Sequence, residues 1–449
     1  MYSRAPTSVK TSMNPAGAGL SAGHICGTVS AMSDISELRS RFPALARTGP
    51  DGRPPVWADC PGGSQVPDTV IDAISNHLRH GVSNTHGVFP VSRDTDELIA
   101  EARRGGSAIT GADPGEIVFG QNATSLLFSI SRAFGRTLTP GDEIVVTRLD
   151  HDANIRPWVR AAEDAGATVR WVDVRPDDAT LDLDSFDAAL SDRTKLVAVT
   201  LASNAVGTMP PAAELVRRAH AAGALVSLDG VHLAQHRALD LHGLNADILA
   251  CSPYKFFGPH LGMLAVRREL LEAWTPYKVR PADDEAPSRW ETGTQNHEAF
   301  AGLVATVAYL AEVGTVYGGA PAEASSREAV LAAYDAFALH ENELALQFLK
   351  GVASIPGLRL YGINDPARVD ERTPTFSVTL EGHHPLELSE ELGRRGIYTW
   401  EGHYYAIELF DRLGINESGG AVRIGFCHYH SAQEVDRVLT ELEALALGR

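Results

Sequence analysis

Cysteine is scarce in this chain. Its four residues, Cys26, Cys60, Cys251 and Cys427, lie far apart and form no Cys-x-x-Cys pair. That spacing argues against a zinc knuckle and a disulfide framework, and it fits a reducing cytoplasm. Basic residues are outnumbered, 39 Lys+Arg against 57 Asp+Glu, for a formal net charge of −18. Such a balance keeps a protein soluble and offers little surface to a phosphate backbone, so no nucleic-acid partner is expected. The apolar runs are broken by charge or glycine within a few positions, and no membrane partner is expected either. Acidic residues are missing altogether from Met1 to Ala31, a Ser-, Gly-, Ala- and Thr-rich stretch without helical or strand period. Residues 1–31 read as a disordered extension, with Met32 beginning the functional chain and residues 32–55 forming an N-terminal arm.

What is present is the composition of a soluble globular enzyme, 44% hydrophobic and 21% charged over 449 residues. That length exceeds what one core usually organises, so two domains are expected. Strand-like runs at 116–119, 143–147, 168–172, 196–201, 225–228 and 248–251 alternate with helix-like segments at 124–134, 155–165, 211–222 and 268–274. Interleaving of this kind predicts an α/β fold with a mostly parallel sheet covered on both faces, and ligands beyond the carboxyl ends of its strands. A break near Gly318 to Ser326, a long helical region, and strands at 375–380 and 421–426 predict a smaller α/β domain. The expected division is a large domain over 56–317 and a small domain over 318–449, packed with the arm. No internal repeat is apparent.

Two residues stand out at strand ends. Asp229 closes the run LVSLD, and Lys255 follows the next run in CSPYKFFGP. A lysine in apolar surroundings loses hydration of its ammonium, so its pKa falls and its amine becomes nucleophilic. It can then hold pyridoxal phosphate as a Schiff base, while a carboxylate keeps the pyridine nitrogen protonated. A lysine snorkelling to solvent is the alternative. In GQNATSLLF a strand ends and a helix begins, so the backbone N–H groups of Ala123 and Thr124 and the Thr124 hydroxyl can hold a phosphate; an ordinary N-cap at Asn122 or Thr124 reads equally well. His232 and His236, spaced i, i+4, could with Asp229 be taken for a metal site, but that reading leaves Lys255 unexplained. No metal is therefore expected.

Eight segments in order, FGQNATSLLF, RLDHDANIRPW, ASNAVGT, SLDGVHLAQH, CSPYKFFGPH, RWETGTQNHE, WEGHYYA and VRIGFCHYH, resemble class V aminotransferase-fold enzymes of the cysteine desulfurase-like type. The likeness spans about Phe42 to Leu447. It implies the PLP-dependent transferase fold (fold type I), with a large domain on a seven-stranded sheet and a smaller C-terminal α/β domain. It also implies roles. His151 stacks on the cofactor ring, Asn204 and His232 reach its phenolic oxygen, Ser252 joins the phosphate cradle, and Tyr254 stands where a His often precedes the lysine. Thr294 reaches the phosphate of a neighbouring subunit's cofactor, which implies a homodimer with shared sites. Arg423 grips the substrate α-carboxylate. His86, His403, Tyr404 and Tyr405 are further candidates near the substrate.

One departure bears on the reaction. Desulfurases that form a persulfide carry a loop cysteine in a G-H-H-C-A setting, whereas this chain reads Gly402-His403-Tyr404-Tyr405-Ala406. A phenol cannot form a persulfide, and Cys251 and Cys427 read as inert core thiols. The expectation is a PLP enzyme acting on a small L-amino acid and cleaving a Cβ substituent without a protein persulfide, of the β-lyase, desulfinase or aspartate β-decarboxylase type. The Cβ nucleophile left behind is protonated to alanine or captured in a C–C bond. A true cysteine desulfurase or selenocysteine lyase, an aminotransferase, an epimerase and a catalytically silent scaffold remain as alternatives.

Overall fold

A computed structural model describes residues 35–449, so the expected extension over 1–31, with Cys26, lies outside the described residues. The first sheet has seven strands: β1 Ile117–Gly120, β2 Glu143–Thr147, β3 Thr168–Val172, β4 Thr194–Thr200, β5 Leu225–Asp229, β6 Ile248–Cys251 and β7 Gly262–Val266. They lie in the order β1-β7-β6-β5-β4-β2-β3, and only β7 runs against the others. The sequence pattern placed the first six to within two residues at either end. The pattern gave no separate strand for β7, the short apolar run GMLAV that comes after the lysine-bearing segment.

A second, antiparallel sheet has β8 Leu358–Tyr361, β9 Thr375–Leu380, β10 Trp400–Gly402 and β11 Ala421–Gly425, ordered β10-β11-β9-β8. Alternation along its two central strands decides how the sheets meet. Phe376, Val378, Val422 and Ile424 face a core shared with the helices Pro385–Arg394 and Ala432–Ala446. Thr375, Ser377 and Arg423, on the other face by the period of two, reach the loops of the first sheet. Ser377 Oγ donates to Ala205 O at 2.8 Å, and Arg423 pairs in register with Ser377.

The helix Ser326–Val352 opens with a capping box between Ser325 and Glu328. Its first half, with Val330, Ala333, Tyr334 and Phe337, belongs to the core under the large sheet; its second half, with Leu344, Phe348 and Leu349, belongs to the core of the small one. The N-terminal arm joins both bodies in the same way. Leu38, Phe42 and Leu45 enter the first core, and Arg39 forms an ion pair with Glu434 at 2.7 Å.

The helix His297–Val316 corrects the reading of the apolar runs, because by length and composition it is apolar enough to cross a membrane. Its character has a packing cause. The helices Asp68–His80, Pro90–Thr110 and Ser326–Val352 all lie against it, so more than one face is buried. Contact with the last of these is backbone to backbone: a Cβ on Gly314 would lie 1.7 Å from Ala329 O, and one on Gly318 would lie 2.3 Å from Ala332 O. Gly314→Val should therefore force these helices apart and cost at least ~1–3 kcal/mol. A thermal unfolding midpoint unchanged from wild type would contradict this packing.

Candidate active site

The carboxyl ends of β2, β4, β5 and β6, the amino end of the helix Ala123–Gly135, the segment from Asp59 to Ser64, and residues of β10 and β11 enclose a cavity of about 790 Å³. Lys255 follows β6 on a single turn, Pro253–Lys255, and is 9% exposed. Its Nζ donates to Gly62 O at 3.0 Å and to Pro61 O. Burial, reinforced by the nearby Arg423 charge, pushes its pKa down to about 7 against the pull of Asp229. Asp229, the last residue of β5, is 5% exposed. Its Oδ1 accepts the Val231 N–H at 2.8 Å, yet burial outweighs that bond and Lys255 and lifts the carboxyl to about 6. A base and an acid of opposite charge type thus meet near neutrality in one cavity.

His151 sits on the turn after β2. Its Nδ1 accepts the Ala153 N–H at 3.0 Å, so in the neutral ring the proton is on Nε2. Burial, then the charges of Lys255 and Arg423, lower its pKa to about 3 and keep that ring neutral. The ring of Tyr405 is stacked on it, centroids 5.4 Å apart at 25°. Three contacts fasten the segment that carries Tyr405. Asn204 Nδ2 donates to Tyr404 O at 2.9 Å, the Asp152 N–H donates to Tyr405 O at 2.8 Å, and the Tyr404 hydroxyl donates to Ala421 O. Tyr404 and Tyr405 take left-handed φ values of 52° and 61°, a pairing that bulky residues adopt only where surrounding contacts hold them.

Arg423 extends from β11 into the cavity wall. Its Nη1 donates to Asn204 O at 3.0 Å, and its guanidinium lies 4.5 Å from the centre of the Tyr404 ring. At the other end, the Asn122 side chain caps the helix by accepting from Ser125 N at 2.8 Å, while Thr124 also lines the cavity. The two readings of GQNATS are therefore compatible. Ser252 Oγ accepts the Ala123 N–H at 3.3 Å and ties that helix end to the lysine turn. Gly262 makes the approach feasible, since a Cβ there would lie 2.3 Å from the Asn122 carbonyl carbon.

Four lining residues hold buried polar atoms without a protein partner: Asp59 Oδ1, Asn204 Oδ1, His232 Nδ1 and Arg423 Nε. Unsatisfied groups of this kind are costly, and a ligand rich in oxygen and nitrogen would satisfy them. The donor set fits pyridoxal phosphate. Lys255 would hold its aldehyde carbon, Asp229 its ring nitrogen, and Ala123, Thr124 and Ser252 its phosphate, with His151 against the ring.

Other expected residues are not brought to the cavity in one chain. His86 is exposed and pairs with Asp96 at 3.5 Å, Thr294 is exposed, and His403 stays outside the lining, its Nδ1 accepting from Tyr405 N at 3.1 Å. The set Asp229, His232 and His236 does not converge as metal ligands. His236 Nδ1 is held by Glu341 at 2.9 Å and His232 Nε2 by Thr375 at 3.0 Å. Cavity residues missed from sequence include Asp59, Gly62, His260 and Trp400. Asp59 could have been suspected from the turn signature Asp-Cys-Pro-Gly-Gly that it opens. His260 stacks on Tyr254, centroids 5.1 Å apart at 11°.

No cysteine among the described residues lines this cavity. Cys251 is buried and its thiol pushed up by burial, then by Asp229, as an inert thiol should be. Cys427 is also buried and outside the cavity lining, but it has polar neighbours. Burial raises its thiol, but hydrogen bonds with Cys60 and His430 outweigh that and hold it down to about 6. Cys60, Cys427 and His430 bring their S and N atoms within 4.8 Å of one another, all buried.

Comparison with known proteins gives a consistent picture. The family model for class-V aminotransferases matches residues 56–438. A cysteine desulfurase of Synechococcus elongatus is 32% identical over 444 residues, 96% of this chain and 66% of that protein, so the chain spans just under two thirds of that relative. One of an Enterobacter species is 30% identical over 427 residues, 92% of this chain and 98% of that protein. Among solved structures, the apo cysteine desulfurase from Thermococcus onnurineus NA1 superposes with a TM-score of 0.79 at 26% identity, covering 91% of this chain and 99% of that one. The Escherichia coli cysteine desulfurase CsdA gives 0.76 at 25%, covering 92% and 98%.

The depressed lysine makes a pH prediction. The cofactor-free protein should form a borohydride-reducible imine with pyridoxal phosphate at a rate that rises as pH passes through about 7, where Lys255 loses its proton. A midpoint near the usual lysine value of about 10 would show that this amine is not desolvated.

Proposed function

The chain belongs to the class V aminotransferase family, as a cysteine desulfurase-like, pyridoxal phosphate-dependent enzyme, and on that premise we propose that it cleaves a Cβ substituent from a small L-amino acid without a protein persulfide. The observation that carries the proposal is the cavity wall at Tyr405: a phenol pinned against His151, with no cysteine in the lining among the described residues. When bound, pyridoxal phosphate supplies an electron-accepting ring that makes the α-proton and then the Cβ bond of an attached amino acid labile.

The chain's own residues have separable tasks. Arg423 offers two parallel N–H donors to the substrate carboxylate, with the Tyr404 ring under its guanidinium and Asn204 O fixing its angle. Lys255 Nζ, a free amine near neutral pH once released, takes the proton from Cα and can deliver one to Cβ. His151, neutral and stacked on Tyr405, cannot serve as a cation at any pH near 7 and acts as a flat wall. A leaving group that departs as a stable small molecule, such as carbon dioxide or sulfite, needs no acceptor on the protein. Such groups suit this wall better than sulfur bound for a thiolate. We also propose a homodimer, because Thr294 and His86 are exposed in one chain and could complete a site only in a second copy.

Incubating the holoenzyme with aspartate, cysteine sulfinate, cysteine and selenocysteine, then measuring alanine and the released group, tests the reading. Alanine should form from at least one of them without added thiol, and Cys427→Ala should leave that rate intact. Sulfide release that depends on a thiol acceptor and disappears in Cys427→Ala would overturn it in favour of a cysteine desulfurase. Arg423→Lys should lower kcat/KM at least tenfold, mostly through KM, since a lysine cannot reproduce the two-pronged contact, worth about 1.5–3 kcal/mol.

A further inference from the structure

His232 lines the cavity and is buried, at 3% exposure. Its Nε2 lies 3.0 Å from Thr375 Oγ1 and 3.2 Å from Thr373 Oγ1; its Nδ1 has no partner. A neutral imidazole has one donor and one acceptor nitrogen, so these two threonines decide which nitrogen carries the proton. Thr373 can direct its hydroxyl proton to Gly207 O, at 3.4 Å. Thr375 is fully buried, and its hydroxyl has one partner, His232 Nε2.

Counting donors and acceptors separates the two tautomers. With the proton on Nε2, Thr373 or Thr375 accepts it, and the buried hydroxyl proton of Thr375 is left with no acceptor. With the proton on Nδ1, Thr375 donates to Nε2, Thr373 keeps its bond to Gly207 O, and only Nδ1–H is unsatisfied. The first arrangement leaves two buried groups unsatisfied, the Thr375 hydroxyl proton and the bare Nδ1, and the second leaves one, so the second dominates. The charged ring offers no third choice at neutral pH, because burial, His236, Lys255 and Arg423 all push its pKa well below the usual value.

We propose that Thr375 is a positioning residue that fixes His232 as the Nδ1–H tautomer, so that the cavity presents a hydrogen-bond donor to an anionic oxygen of the bound ligand. Resting on the reading of the site as a pyridoxal phosphate pocket, that oxygen is the cofactor's phenolic oxygen. A neutral histidine donates through Nδ1 only when its Nε2 is left to accept a proton from a neighbour. β9, in the second sheet, supplies that donor through Thr375, so the tautomer is set by contact between the two bodies of the molecule.

Two measurements test this. Magnetic resonance of the cofactor-free protein carrying isotope-labelled histidine nitrogen, with His232 assigned by its loss in His232→Gln, should show Nδ1 protonated and Nε2 bare. Thr375→Val keeps the side-chain shape, removes the hydroxyl and should move the proton to Nε2, where Thr373 accepts it. Titration of the cofactor-free variants with pyridoxal phosphate, followed by absorbance, should then give about tenfold weaker binding for Thr375→Val, with Thr375→Ser restoring it. A wild-type protein already protonated on Nε2, or a Thr375→Val protein with unaltered tautomer and affinity, would overturn the proposal. The tautomer is read without cofactor or substrate, so it stands or falls separately from the proposed Cβ cleavage, which the product assay decides.

Discussion

Holding a lysine and an aspartate out of water in one cavity is the constraint on which the rest of this architecture depends. Burial drives each group toward its neutral form even with the other present, the acid upward to about 6 and the amine, helped by Arg423, downward to about 7. That shift suits both ends of the chemistry. An uncharged amine can add to an aldehyde, and a carboxyl short of partners binds a protonated ring nitrogen more tightly than a well-solvated one would. The cost of the burial falls on the surrounding fold. Asp229 and Lys255 sit at the ends of adjacent strands, β5 and β6, in the middle of a seven-stranded sheet whose neighbours are apolar and buried.

The first sheet cannot close the cavity by itself. Arg423, Thr375 and Ser377 come from the second sheet, and all three act through the same device, a polar residue at every other position of an otherwise apolar strand. Phe376 and Ile424 anchor one face while the intervening side chains reach across to Asn204, His232 and Ala205. The two sheets are therefore coupled through the ligand site itself as well as through the shared helix Ser326–Val352. A change that loosened β9 would alter Arg423 and His232 together, because one lies in register beside β9 and the other is bonded to it.

Much of this was readable in the chain, for a physical reason. Parallel strands in an α/β sheet bring their carboxyl ends to one edge, so a chemically unusual residue directly after an apolar run is already placed in space. Asp229 and Lys255 gave that signal, whereas the roles of Asn204 and His151 came from the likeness to a known family. Strand β7 carries no chemically unusual residue at its end and gave no such signal, and the membrane-length apolar character of His297–Val316 has its cause in burial against three other helices. Thr375 was invisible for a different reason: its importance comes from His232, more than a hundred positions away, and a threonine is not unusual where it stands. His86 and Thr294 show the converse limit, residues suggested by motif whose surroundings in one chain are solvent.

The setting of Tyr405 ties the chemistry to the backbone. A side chain that had to shuttle a leaving group across solvent would need a segment able to swing, with few contacts and unstrained dihedrals. Residues 402–406 have the opposite properties: two consecutive left-handed residues, a ring stacked on His151, and backbone carbonyls bonded to Asn204 and to the amide of Asp152. Strain persists there because those contacts over-determine the conformation. Moving Tyr405 would therefore release His151, and with it the wall that keeps the reacting plane fixed. A thiol placed at position 405 without undoing these contacts would be a nucleophile held in place, so what this position can do is set by the whole loop and its anchors as well as by one side chain.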